Sequence, residues 1–305
     1  MDLNLFVFPK PKPSYTHEEM YGQLIYIPRD YQQWSLTEPY ISSSQIEKIY
    51  RKQERLASCG SYKGKCVPCL YLPYSKKSTK ILLYFHGNAE DVALTRELLE
   101  VVQEQLQVHV LVMEYEGYGV YEGNTTAKGI LQDAELLYQY VANVIRFPHK
   151  DIIVFGRSIG SGPASFLASK YNVHSLILMS AFTSLRAVVR DLAGPLLQYV
   201  VAERFPNKEL MKKVKCPVFL MHGKKDNLVS YKQAEELKSI LEKQNVDCLL
   251  HTPGDMDHNS FDFVEDFAYP LVEFYIERGF SVEPEGENKG VIVLPIKVFN
   301  KPVKI

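Results

Sequence analysis

From Lys80 onward the sequence alternates short, unbroken apolar runs with longer stretches of helical periodicity. This alternation constrains the fold more than any other feature. An unbroken apolar run reads as a strand buried on both faces, and both faces are covered when helices cross over a parallel sheet. Strands are predicted at Ile81–Phe85, Val108–Met113, Ile152–Phe155, Leu176–Met179, Val218–Met221 and Cys248–His251. Helices are predicted at Ala89–Leu106, Ala127–Ile145, Ile159–Lys170, Leu185–Ala202, Tyr231–Glu242 and Ser260–Glu277. The expectation is an α/β chain with a mostly parallel central sheet and helices on both faces. Residues 1–79 read as an N-terminal segment with the first strands, 80–278 as the core, and 279–305 as a tail. In the tail the β-prone run Gly290–Val298 contains Pro295, which suits an edge strand because an edge tolerates a missing N–H. Ser42–Ala57 reads equally as amphipathic helix or irregular strand.

With 305 residues the chain is long enough to bury a core without covalent staples. It carries 35 basic against 36 acidic residues. That balance lacks the basic excess that nucleic acid or an anionic membrane surface demands. Five cysteines, Cys59, Cys66, Cys69, Cys216 and Cys248, are odd in number and dispersed, which points to a reducing, cytoplasmic setting. Cys66 and Cys69 form a lone C-x-x-C on the strand-like run Cys66–Leu72, where a zinc site would need two more ligands. No apolar run approaches the ~18 residues of a membrane span. Met1–Phe8 is apolar but has no basic flank, and Asp2 stands where myristoylation needs glycine, so neither a signal peptide nor a lipid anchor is expected. The segment is expected to pack on the body, with contact to a lipid surface as the alternative.

Directly after the predicted strand Ile152–Phe155 comes Gly156-Arg157-Ser158-Ile159-Gly160, followed by a helical run. A serine on so sharp a strand-to-helix turn adopts strained geometry, and its neighbours must lack a bulky Cβ. This is the nucleophile-elbow context of the α/β-hydrolase fold. A serine hydroxyl attacks only when an imidazole takes its proton and a carboxylate fixes the imidazole's tautomer. In this fold the acid and then the histidine follow the serine. Asp226 lies in the loop after Val218–Met221, at the strand edge where such active sites gather. His258 follows Cys248–His251, after the loop Thr252–Asp257. Asp255 and Asp257 are the alternative acids, too near His258 in sequence to sit easily behind its ring. His222, His251 and His86 read as structural. For the oxyanion, the backbone N–H of Ile159 is one donor, and Asn88, with Ala89 next, is the choice for the other. No metal or cofactor is called for.

The motifs HGNAED (His86–Asp91), EYEGYG (Glu114–Gly119), GRSIGSGPA (Gly156–Ala164), SAFTSLR (Ser180–Arg186), FPN (Phe205–Asn207) and CPVFLMHGKKD (Cys216–Asp226), with the late His258, resemble the α/β-hydrolase domain-containing protein 17 family. The resemblance runs from about Lys80 to Glu277, and Phe8–Tyr15 is similar to the family's N-terminal segment. It implies a membrane-associated serine hydrolase that removes palmitate from protein thioesters, with Ser158, Asp226 and His258 as its triad. Two places differ from the family: Met1–Pro13 holds no cysteine, and three residues separate Gly254 from His258. Leu176–Met221 leaves room for a short cap only, so the groove at Ser158 is expected to stay open to a bulky acyl substrate. Leu192, Leu196, Leu197, Val200 and Val201 on that segment read either as acyl-facing surface or as residues packed on the sheet. The expected activity is hydrolysis of acyl esters or thioesters, on an acylated protein or lipid-like substrate. The rivals are a small-molecule esterase or peptidase on the same fold, and a catalytically silent binding protein.

Overall fold

The computed structural model describes residues 7–20, 23–30, 40–42, 65–75, 78–280 and 293–295. Among these the strands are β1 (Leu24–Pro28), β2 (Tyr40–Ser42), β3 (Cys66–Leu72), β4 (Ile81–Phe85), β5 (His109–Met113), β6 (Ile152–Arg157), β7 (Ser175–Met179), β8 (Val218–Met221), β9 (Cys248–His251) and β10 (Val293–Pro295). The α-helices are α1 (Arg96–Leu106), α2 (Ala127–Asn143), α3 (Ser161–Lys170), α4 (Leu185–Ala193), α5 (Asn207–Met211), α6 (Lys232–Glu242) and α7 (Tyr269–Ile276). An eight-stranded, mostly parallel sheet with helices is the α/β-hydrolase fold.

The chain divides into two compact units. One comprises Lys10–Ile81, Ala89–Pro148 and Val282–Ile305. Within it β1, β3 and β5 run antiparallel, with Leu24 opposite Leu70 and Cys69 opposite Met113. Val293–Pro295 of the tail pairs antiparallel with Tyr40–Ser42. Arg29 meets Asp133 at 2.8 Å, and the Tyr121 hydroxyl donates to the same carboxylate at 3.0 Å. The buried Glu114 carboxylate accepts from the Tyr15 hydroxyl at 2.8 Å and from the Val92 N–H at 3.3 Å.

The other unit comprises Met1–Pro9, Leu82–Asn88 and His149–Ser281. Strands β6, β7, β8 and β9 pair in parallel, and Arg157, Met179, Met221 and His251 stand in register at their C-terminal ends. Four loops therefore leave one edge of the sheet side by side. Strands β6, β7 and β8 are buried along their whole length, as their unbroken apolar runs require. Strand β9 is last in the row and correspondingly less covered. Helix α3 packs on β6 and β7, and α6 on β8 and β9. Phe8 is buried edge-on against Phe205, with ring centroids 6.4 Å apart. The N-terminal segment thus packs at Val7 and Phe8, and its first six residues lie outside the described set.

Several predicted helices change shape. The one expected at Ala89–Leu106 begins only at Arg96, because Asp91 turns its carboxylate onto the Leu94 N–H and Ala89 takes a left-handed φ of 58°. The one expected at Leu185–Ala202 stops at Ala193, where Gly194 adopts φ 92° and Pro195 follows. Leu196 (82% exposed), Leu192 and Val200 consequently stand in solvent and do not pack on the sheet. The last predicted helix opens with a π-helical turn, Phe263–Ala268, before α7, whose Pro270 donates no N–H to the ladder. Strand β1 falls in the segment read as holding the first strands, where no bounds were assigned to it, and helix α5 was not foreseen. The Ser42–Ala57 reading falls, after Ser42, outside the described residues, as does Cys59.

At the elbow the glycines serve close approach. A Cβ on Gly156 would lie 2.2 Å from the Gly160 carbonyl oxygen, and one on Gly160 would lie 2.0 Å from the carbonyl oxygen of Phe85. Both obstacles are backbone and cannot swing aside. Gly160→Ala should therefore lower unfolding stability by about 3 kcal/mol, read from urea midpoints. Gly254→Ala, where an added Cβ meets nothing within 4 Å, should stay within about 0.5 kcal/mol of wild type. Equal midpoints for the two variants would contradict this packing.

Candidate active site

Strand β6 ends at Arg157, and Ser158 opens a single 3₁₀ turn, Ser158–Gly160, that leads into α3. Ser158 has φ 51°, a left-handed conformation that costs a side-chain-bearing residue about 1–2 kcal/mol. The strain expected at the elbow is thus carried by the serine itself, while the flanking glycines allow the contact that enforces it.

The structure brings together the three residues singled out for catalysis. Ser158 Oγ lies 3.0 Å from His258 Nε2, and His258 Nδ1 lies 2.7 Å from Asp226 Oδ2. All three residues are buried. Facing a carboxylate, Nδ1 carries the proton and donates it, which leaves the Nε2 lone pair to accept the serine O–H. Asp226 Oδ1 accepts from the backbone N–H of Leu228 at 2.9 Å and of Val229 at 2.8 Å. His222 Nε2 stands 3.1 Å from Oδ2 and 2.7 Å from the Val229 carbonyl, so it carries a proton toward both acceptors. Burial by itself would raise the Asp226 carboxyl, but the hydrogen bonds from His222, His258 and the Val229 N–H outweigh it and hold the group well below the usual carboxylate range.

Asp226 and His258 meet because the β8–β9 pairing continues past both strand ends. The N–H of His222 donates to His251 at 3.0 Å, that of Lys224 to Pro253 at 3.0 Å, and that of Lys225 to Met256 at 3.1 Å. Gly223 lets the loops touch, since a Cβ there would sit 2.2 Å from the Met256 carbonyl oxygen. The alternative acids face elsewhere. Asp255 is exposed and pairs with Lys225 at 2.5 Å. Asp257 accepts from the N–H groups of Asn259 and Ser260 at 2.8 and 2.7 Å.

Of the two proposed oxyanion donors, Ile159 follows the serine in the 3₁₀ turn. Asn88 lies on the loop after β4, whose carbonyls at Phe85 and His86 abut Gly160. Its side-chain amide donates to the Val7 carbonyl at 2.8 Å. The backbone of Ala89 is hydrogen-bonded to the Tyr118 hydroxyl. His86 is fully buried, with Nδ1 2.9 Å from the Gly87 carbonyl oxygen. His251 closes β9, and burial lowers its pKa. Cys66 and Cys69, three residues apart on β3, point to opposite faces. Burial pushes the Cys66 thiol up to about 12. One residue of the site escaped sequence reasoning: Arg157 reaches the His258 loop with its guanidinium, a contact that follows no local sequence pattern. His222, read as structural from its place at the end of β8, grips the Asp226 carboxylate and the Val229 carbonyl of the loop that follows it.

No protein-family model matches the chain. Among curated proteins, the human alpha/beta hydrolase domain-containing protein 17B is 26% identical over 170 residues, which are 55% of this chain and 58% of that protein. Protein 17C of Xenopus laevis is 25% identical over 233 residues, 73% of this chain and 74% of its own. The Caenorhabditis elegans protein aho-3 is 27% identical over 224 residues, 73% of this chain and 63% of its own. The match spans little more than half the length of the human relative. These names bear out the resemblance to the protein 17 family carried by the motifs. Among solved structures, the Pyrococcus furiosus esterase Pf2001 matches with TM-score 0.59 and 16% identity, over 88% of this chain and 96% of its own. Est1E from Butyrivibrio proteoclasticus with bound ferulic acid matches with TM-score 0.57 and 17% identity, over 70% and 95%. Both share the fold.

The depressed Asp226 carboxyl links stability to pH. Its contribution is complete above the unfolded value of about 3.9 and is lost as pH falls toward the lower folded value. Asp226→Asn places an amide N–H₂ against two N–H donors. The wild type should exceed this variant in unfolding free energy at pH 7, and the gap should narrow as pH is lowered from about 5 to 3. A gap that stays constant across that range in urea titrations would contradict the assignment of Asp226 as the buried anion of the site.

Proposed function

We propose that this relative of the α/β-hydrolase domain-containing protein 17 proteins is a serine hydrolase that cleaves acyl esters and thioesters through an acyl-enzyme, with S-acylated proteins as its substrates. The observation that carries the reading is the unbroken hydrogen-bonded chain from Ser158 Oγ through His258 to Asp226, at 3.0 and 2.7 Å.

In this reading His258 Nε2 takes the Ser158 proton as Oγ bonds to the acyl carbon, and the carbonyl electrons move onto oxygen. The N–H groups of Ile159 and Asn88 receive that oxyanion. Asp226 stays ionised and stabilises the imidazolium. Collapse breaks the carbon–sulfur bond, and His258 returns its proton to the departing thiolate. A water then repeats the sequence: His258 takes its proton, the hydroxide oxygen bonds to the acyl carbon, and Ser158 leaves with the proton restored.

Substrate class rests on the resemblance and on the short segment after β7. It carries α4, the turn Leu197–Tyr199 and the short α5, and it presents Leu192, Leu196 and Val200 to solvent. A short segment that shows apolar side chains to solvent suits a long acyl chain presented on a protein or at a membrane surface. No described helix is long and apolar enough to cross a membrane, and a cytoplasmic protein with peripheral membrane contact fits the proposal. A small-molecule esterase or a peptidase would use the same three residues, since fold and triad do not dictate the acyl donor.

Ser158→Ala should abolish fluorophosphonate labelling with the circular dichroism spectrum unchanged; undiminished labelling would end the reading. Long-chain acyl thioesters should be hydrolysed with higher kcat/KM than acetyl esters or aminoacyl amides. A preference for amides would favour the peptidase, and a preference for short esters the small-molecule esterase. Asp226→Asn should lower kcat by on the order of 10⁴, as a wrong imidazole tautomer does. Asp255→Asn and Asp257→Asn should cost far less, and the reverse order would reassign the acid.

A further inference from the structure

Arg157 occupies the variable position before the serine in G-x-S-x-G, and the residue is only 6% exposed. Burying a guanidinium is costly unless its N–H groups meet acceptors. Here Nη2 donates to the backbone carbonyl of His258 at 2.8 Å and to Asn259 Oδ1 at 3.0 Å. The donor residue is peptide-bonded to Ser158, and the first acceptor belongs to the residue whose ring faces that serine. We propose that Arg157 is a positioning residue for the reaction, fixing the backbone of His258 against the nucleophile's strand and so setting the distance between Ser158 Oγ and His258 Nε2. The inference rests on the reading of Ser158 and His258 as nucleophile and base.

The need for such a tether follows from how the histidine is otherwise held. His258 lies in a stretch without helix or strand, between β9 and the π-helical turn at Phe263. Its loop is tied to the acid's loop through Pro253 and Met256, and Asp257 closes a turn onto Asn259 and Ser260. The ring itself is gripped at Nδ1 by Asp226. The loop tie and the Nδ1 grip lie on the acid's side, the Asp257 turn is internal to the histidine's own loop, and the contact of Nε2 with Ser158 Oγ is the one that has to be positioned. The Arg157 bonds act from the nucleophile's side, on the backbone that carries the ring. They are charge-assisted, which strengthens them over neutral hydrogen bonds. A misplacement of about 1 Å between reacting groups costs on the order of 10²-fold in rate.

Arg157→Met keeps the bulk and removes the donors. It should lower kcat on a long-chain acyl thioester by about 10²-fold while KM stays within about 3-fold, and slow fluorophosphonate labelling in parallel. Arg157→Lys restores one donor toward the His258 carbonyl and should recover about half of that loss on a logarithmic scale. Asn259→Ala, which spares the carbonyl contact, should cost only a few-fold. Rates are taken per site that labels at completion, so a variant that merely folds less well loses labelled sites and not turnover per site. Wild-type turnover per labelled site in both Arg157→Met and Arg157→Lys would overturn the tether. If Ser158→Ala still labels, the reading of the site fails. If Ser158→Ala is silent and the Arg157 variants turn over normally, the tether alone fails.

Discussion

Between Gly160 and the end of β4 there is no room for a side chain. The Phe85 carbonyl oxygen lies 2.0 Å from where a Cβ on Gly160 would sit, so the turn after β6 and the loop after β4 meet backbone to backbone. That contact holds the turn tight enough to place Ser158 at φ 51°. It also brings the His86 carbonyl against Gly160, two residues from the serine. The parallel register of β6 through β9 completes the arrangement, because strands that end level release their loops toward the same edge. A serine raised at that edge meets the acid loop after β8 and the histidine loop after β9 without any long excursion of chain.

The second constraint is electrostatic. A buried carboxylate is tolerated when its lone pairs are filled, and Asp226 fills them with two backbone N–H groups, His258 Nδ1 and His222 Nε2. Those bonds overcome the desolvation that would otherwise neutralise the group, so it stays charged to below the ordinary carboxylate range. In the proposed reaction that anion stabilises the imidazolium formed at His258. Since the backbone donors come from its own loop, its orientation does not depend on the histidine it serves. His222 adds a second grip by joining the carboxylate to the Val229 carbonyl, closing the loop on itself.

The parts legible in the sequence are those written locally. Each strand bearing the site is a run of four to six residues in which nearly every side chain is apolar, and G-R-S-I-G states its own geometry through its glycines. Chain order then selects Asp226 and His258. The loop from Asn88 to Thr95 was hidden by helix-forming residues, and only the capture of the Leu94 N–H by Asp91 shows why they do not coil. After Ala193 the reverse happened: Gly194 and Pro195 mark a stop, but the helical reading ran on through the apolar residues beyond them to Ala202. The guanidinium of Arg157 and the carbonyl of His258 are 101 positions apart. Such a bond follows from which loops the sheet edge brings together, and no spacing rule reveals it. Each compact unit is likewise assembled from segments distant in sequence.

The central claim is that Ser158 carries the acyl group during turnover. The direct measurement is to mix the enzyme with a long-chain acyl thioester, quench in acid on the millisecond scale, cleave after Lys and Arg, and locate the acyl mass by fragmentation. The peptide that begins at Ser158 and ends at Lys170 contains three other serines, Ser161, Ser165 and Ser169, so fragmentation decides among them. The account predicts the acyl group on Ser158 at early times, decaying as free acid accumulates. An acyl group on any other residue, or turnover with no acylated peptide at any quench time, would contradict it.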